Sequence, residues 1–171
     1  AGMPRGLPSE GFSFQAGVMI FRETLDSALR DVRAVYADLA ARPVARNCEL
    51  RTECCRFKLT GLVPHLTAGE ALLAARALRA TGRKHLPEPV DGACPFLHPA
   101  TSRCTIYADR PFGCRTHFCR EAGGPYQRRE VLDLIRRLEE VDSRLGREGP
   151  RPLPDAVRRA LRLLDGMRGG R

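Results

Sequence analysis

CTIYADRPFGCRTHFC, Cys104 to Cys119, places three cysteines, one histidine and two arginines within sixteen residues. Four more cysteines precede it, at Cys48, Cys54, Cys55 and Cys94, and the remainder of the 171-residue chain has none. How these thiols are used decides the fold, because the segment carrying most of them has little helical periodicity. Residues 83–126, from LPEPVDGACPFLHPATSRC to CREAGGPY, are dense in proline, glycine and aspartate. An irregular stretch of that length inside a compact domain needs something other than backbone ladders to hold it. A bound metal would do so.

On both sides the pattern turns helical. Phe21, Leu25, Ala28, Leu29, Val32, Val35, Tyr36 and Leu39 recur at the three-and-four spacing of one buried helical face. This spacing predicts a helix from about Phe21 to Arg42, ended by Pro43. Residues 1–16 read as a Gly/Pro-punctuated arm in which Phe12 and Phe14 alternate like a short extended segment. Thr67-Ala68-Gly69-Glu70 is a capping-box start for a second helix running to Gly82. Val131 to Leu145 forms a third amphipathic pattern. A fourth begins at Pro154-Asp155, carries Val157, Ala160, Leu161 and Leu164, and closes at Gly166. The expected architecture is one mostly α domain over residues 1–171. Its helices frame an irregular, metal-stabilised cysteine-rich core at about 48–120.

Composition narrows the function classes. At 43% apolar residues the chain is an ordinary globular one. Its longest apolar run, Gly17 to Phe21, is far below the eighteen or so residues of a membrane span. The N-terminal AGMPRGLPSEGFSFQ lacks the basic-then-apolar order of a secretion signal, so a cytoplasmic location is expected. Thiols stay reduced there, and an odd count of seven cannot pair completely. The net charge of +9 invites a nucleic-acid partner. Against it, aromatics are 6% and tryptophan is absent, which leaves few stacking platforms.

The cysteine spacing is C-x5-CC, then C-x9-C-x9-C-x4-C. No C-x2-C hook of a zinc ribbon is present, nor a ferredoxin run. Disulfides, a redox dithiol and ordinary core packing are the competing readings. Core packing fits poorly, since all seven thiols lie in polar, turn-rich segments and none on a helical face. Arg51, Arg56, Arg103, Arg110, Arg115 and Arg120 lie close in sequence, and cationic neighbours favour the thiolate that binds metal. Seven cysteines with His117 give eight donors, enough for two four-coordinate sites. His98 and His85 are poorer candidates, and His65 beside Pro64 reads as structural. Adjacent Cys54 and Cys55, if extended, point oppositely. They would then serve two neighbouring centres, or one would bind while the other packs.

The order Cys54-Cys55, Cys94-Pro95-Phe96-Leu97, Cys104-Thr105-Ile106-Tyr107, Arg110-Pro111, Cys114-Arg115, Cys119 resembles the YkgJ-type cysteine-cluster family of bacterial zinc- or iron-chelating domains. The likeness covers about residues 48–120. It departs from the family's C-x2-C-x2-CC opening, because Arg51 stands where a second cysteine would be. The resemblance implies a metal-binding protein. Its ligand set is expected among Cys48, Cys54, Cys55, Cys94, Cys104, Cys114, Cys119 and His117. Zinc is the expected metal, with iron or an iron–sulfur cluster as the alternative. Tyr107 and Phe112 are expected either to pack over the sulfurs or to anchor the loop, and Arg110 and Arg115 either to donate hydrogen bonds to sulfurs or nearby carbonyls or to form surface salt bridges.

Three functions follow from this reading. The first is a structural or metal-handling protein, with a protein partner as one possibility. The second is an iron–sulfur redox or protein-modifying enzyme, since a flagellin lysine methylase carries a similar cluster. The third is a zinc-dependent nucleic-acid binder. No Gly-rich phosphate loop, HExxH pair or Ser-His-Asp order identifies a catalytic residue, so the question of enzyme activity stays open.

Overall fold

A computed structural model describes residues 14–42, 46, 51–89, 91–146 and 149–169. Six α-helices and one two-stranded ribbon are described: α1 (Phe14–Ala40), α2 (Phe57–Thr60), β1 (His65–Leu66), α3 (Ala68–Ala80), α4 (Phe112–Thr116), α5 (Leu132–Arg144), β2 (Arg151–Pro152) and α6 (Leu153–Gly169). The mostly α class therefore holds, and the four long helices fall where periodicity places them. Two boundaries differ. Phe14 lies inside α1, which begins well before Phe21, because FQAGVMI contains no proline and its single glycine costs only about 1 kcal/mol. For the same reason Gly166 is helical and α6 runs through it. Phe12 and Pro43 lie outside the described residues.

Helix α3 is the central element and packs against α1, α5 and α6, while α1 also packs on α5. Small residues make this possible. Gly69, Ala71, Ala74 and Ala75 are all buried on α3 and let neighbouring backbones approach. Into the gaps go Leu25, Leu29 and Val32 of α1, Leu134, Leu138 and Val141 of α5, and Leu153, Val157 and Leu161 of α6. At Gly69 the approach is closest: a Cβ there would lie 2.9 Å from Val141 and 3.0 Å from Val32.

Two buried carboxylates organise the N-terminal end of α3. Asp142 of α5 accepts the Ala68 N–H at 2.8 Å and the Gly149 N–H at 3.2 Å. Glu70 completes the capping box expected from the sequence, accepting the Thr67 N–H at 3.1 Å and the Thr67 hydroxyl at 3.0 Å. Its other oxygen accepts the Tyr36 hydroxyl from α1 at 3.2 Å and the Phe112 N–H, which opens α4, at 2.8 Å. Burial raises the Glu70 pKa, and these four donors oppose the rise. One carboxylate thus joins the helical bundle to the cysteine-bearing segment.

The ribbon makes a second junction. His65 pairs with Pro152 and Leu66 with Arg151 in antiparallel register, and the Leu153 N–H donates to the Pro64 carbonyl at 2.8 Å. On the surface, Asp26, Asp31 and Asp38 of α1 pair with Arg76 of α3 and with Arg144 and Arg137 of α5. Such exposed pairs contribute about 0–1 kcal/mol each. They account for part of the arginine content without a nucleic-acid partner.

Two substitutions check this architecture by denaturant unfolding. Gly69→Ala is expected to lower stability by about 1–3 kcal/mol through overpacking against Val32 and Val141. Glu70→Ala is expected to cost about 3–5 kcal/mol, because it strands the Phe112 and Thr67 N–H groups and the Tyr36 hydroxyl in the interior. Glu70→Gln, which keeps one acceptor oxygen, should lose less than half as much.

Candidate metal centre

Four separate turns deliver the thiols. The first is the 3-10 turn Glu53–Cys55, entered through Thr52 in a left-handed conformation, φ 59°. That turn changes the reading of the adjacent cysteines. Cys54 and Cys55 are not extended and do not diverge; both line one cavity, and each thiol shifts the other's ionisation. The chain then enters α2, which buries Phe57.

The third and fourth thiols, Cys94 and Cys104, sit at the two ends of a small hairpin. The Cys94 N–H donates to the Cys55 carbonyl at 2.6 Å, pinning the two cysteine segments together. Leu97 and Cys104 form an antiparallel bridge, and the Thr105 N–H donates to the Phe96 carbonyl at 2.8 Å. Ser102, with φ 51°, turns the loop between them. The fifth thiol, Cys114, lies on α4, whose first N–H is the one held by Glu70. Arg115 steadies the approach: its Nε donates to the Arg110 carbonyl at 2.8 Å, and its Nη2 donates to the Ala108 carbonyl. Its guanidinium also stacks on Tyr36 at 4.2 Å.

Cys54, Cys55, Cys94, Cys104, Cys114 and His117 line a cavity of about 280 Å³. The six described cysteines are all free thiols. Five of them, Cys54, Cys55, Cys94, Cys104 and Cys114, face a common space without meeting at a point. Among the described residues, no three His, Cys, Asp or Glu side chains are gathered tightly enough to hold an ion as they stand. Cys119 follows α4, is half-buried, and is not among the residues lining the cavity. Cys48 lies outside the described residues. His65 is exposed with its ring against the Val63 carbonyl, and His98 accepts the Thr101 N–H, so both are occupied locally.

One neighbouring side chain takes a different role from that expected. Phe112 packs into the main core, and Phe57 and Phe96 line the cavity in its place. Tyr107 does line it, and Arg110 lies over the Tyr107 ring at 3.9 Å. Arg110 and Arg115 donate to carbonyls, one of the two options read from the sequence. Asp109 and Glu121 form ion pairs with Arg33 and Arg51. Leu62, Val63, Pro64 and Leu153 complete the wall, and no sequence signal marked them. Only the packing of the ribbon brings Leu153 there.

Electrostatics divides the thiols. The hydrogen bond with Cys55 lowers the Cys54 pKa to about 6, and the same bond together with burial drives Cys55 far up. Burial raises Cys94 to about 12, and it raises Cys104 and Cys114 as well. The neighbouring thiols add to the rise at all three. Several sulfurs in one small apolar space cannot all ionise unless a cation joins them.

Residues 46–133, just over half of the chain, match the sequence model of the CxxCxxCC family, described as "Putative zinc- or iron-chelating domain". No curated protein and no solved structure matches the chain.

The pKa pattern sets an alkaline limit on the metal-free fold. A thiol ionising at 9.0 when unfolded and at about 12 when folded contributes stability below pH 9 that is lost as pH rises to 12. For Cys94 that span is worth about 4 kcal/mol. Chelator-treated Cys94→Ala should therefore lose correspondingly less stability than the parent between pH 9 and 12. Parallel unfolding curves for the two would contradict the assignment.

Proposed function

The chain belongs to the CxxCxxCC family, and from that premise we propose that its cysteine-lined cavity is a thiolate metal centre. The observation that carries this reading is the meeting of five free thiols from four turns around one space. Packing alone needs no such meeting. Cys54, Cys55, Cys94, Cys104 and Cys114 would supply the holding sulfurs, drawn inward by side-chain rotation. His117 lies on the same wall, and Cys48 and Cys119 complete the proposed donor set.

Zinc is the favoured ion, because a donor set dominated by thiolate sulfur suits a tetrahedral, redox-inert site. A zinc or iron ion, when bound, supplies the positive charge that lets buried neighbouring thiols ionise together. The chain's own residues do the remaining work. Phe57 and Phe96 exclude water, the Cys94-to-Cys55 backbone bond fixes the spacing of two turns, and Arg110 favours ionised Cys54 and Cys104. The role is structural or in metal handling, in a reducing cytoplasmic setting. It orders residues 91–122, whose backbone bonds are mostly those of turns.

Elemental analysis of anaerobically isolated protein tests the reading. Stoichiometric zinc in a colourless sample is the expected result. Broad visible absorption with acid-labile sulfide would replace zinc by an iron–sulfur cluster, and absence of any metal would overturn the proposal. Cys94→Ser and Cys114→Ser should each lower metal content and the melting temperature, since structural metal contributes several kcal/mol to folding. Cys119→Ser, outside the cavity wall, should do so less.

A further inference from the structure

The cavity is larger than an ion and its ligands require. A water molecule's share of liquid volume is about 30 Å³, and about 280 Å³ is open here. Its walls are also chemically divided. Sulfurs approach from Cys54, Cys55, Cys94, Cys104 and Cys114. The loop Leu62-Val63-Pro64 and Leu153, at the start of α6, supply hydrocarbon. Leu62 and Val63 remain 59% and 37% exposed, an apolar lip that a purely internal site would not leave to water.

Two arginines, Arg103 and Arg110, line the same space. Among the described residues neither has a carboxylate partner, whereas Arg33, Arg51, Arg56, Arg76 and Arg79 each have one. Arg110 is already oriented, stacked on Tyr107 at 3.9 Å and donating to the Tyr107 carbonyl at 3.3 Å. It serves the thiols as well. Arg103, exposed on the hairpin between Cys94 and Cys104, has no such second task. A planar guanidinium beside an apolar wall selects a ligand with a carboxylate head and a hydrocarbon body.

We propose that the outer part of this cavity binds a small amphipathic carboxylate beside the metal. Arg103 and Arg110 receive the carboxylate, and Leu62, Val63, Pro64 and Leu153 receive the apolar body. The proposal rests on the metal-centre reading, and it makes the site open on one side.

Calorimetric titration of the zinc-loaded full chain with octanoate and with octan-1-ol tests it, with zinc content measured on the same samples. Saturable one-site uptake of octanoate is expected, with the neutral alcohol about tenfold or more weaker. Arg103→Gln and Leu62→Asp should each weaken octanoate binding about tenfold or more while zinc content stays unchanged. Equal affinity for acid and alcohol, or unchanged binding in both variants, would overturn the assignment. Full zinc loading with no octanoate uptake sinks the ligand pocket and leaves the metal centre standing. Saturable octanoate uptake by protein that never takes up metal does the reverse.

Discussion

Glu70 sits where three parts of the molecule meet, and its carboxylate is shared among them. Thr67 at the start of α3, Tyr36 from α1 and the first N–H of α4 all donate to it. A buried carboxyl is costly, and burial raises its pKa. The fold offsets that cost with four donors. In return, the helix carrying Cys114 is set at a fixed distance from the bundle. Apolar packing of Phe57, Phe96, Ile106 and Phe112 also joins the cysteine turns to the helices, but this shared acceptor adds directional bonds that fix how they meet.

That arrangement explains which parts were legible beforehand. The long helices announce themselves because their apolar residues recur with the helical period, and α3 shows its own start through Thr67 and Glu70. The ends were harder. A single glycine is a weak breaker, and both helices run through one, at positions 17 and 166. Glu70 itself was visible only as a cap. Its bonds to Tyr36 and Phe112 span 34 and 42 residues, and no local pattern encodes them.

At the site, the residue types were readable and their conformations were not. The cysteine count and spacing pointed to one shared region, and five of the thiols do border one cavity. Whether Cys54 and Cys55 were extended or turned was not legible, since a threonine entering a left-handed turn is uncommon and no neighbour signals it. For Phe112, packing over the sulfurs and anchoring the loop were both open. The turn of α4 carries it into the core instead, and Phe57 and Phe96 take that wall.

Leu153 has a further implication for how this domain is divided. The segment shared with the family ends at residue 133, yet Leu153 walls the cavity and is fully buried among the helices. Tyr36, a partner of Glu70, likewise lies before residue 46. The cysteine segment is therefore not a portable cassette. Excised at its homology boundaries, it would lose one side of its chamber and one donor to its central acid, so the flanking helices belong to the site as architecture rather than as packaging.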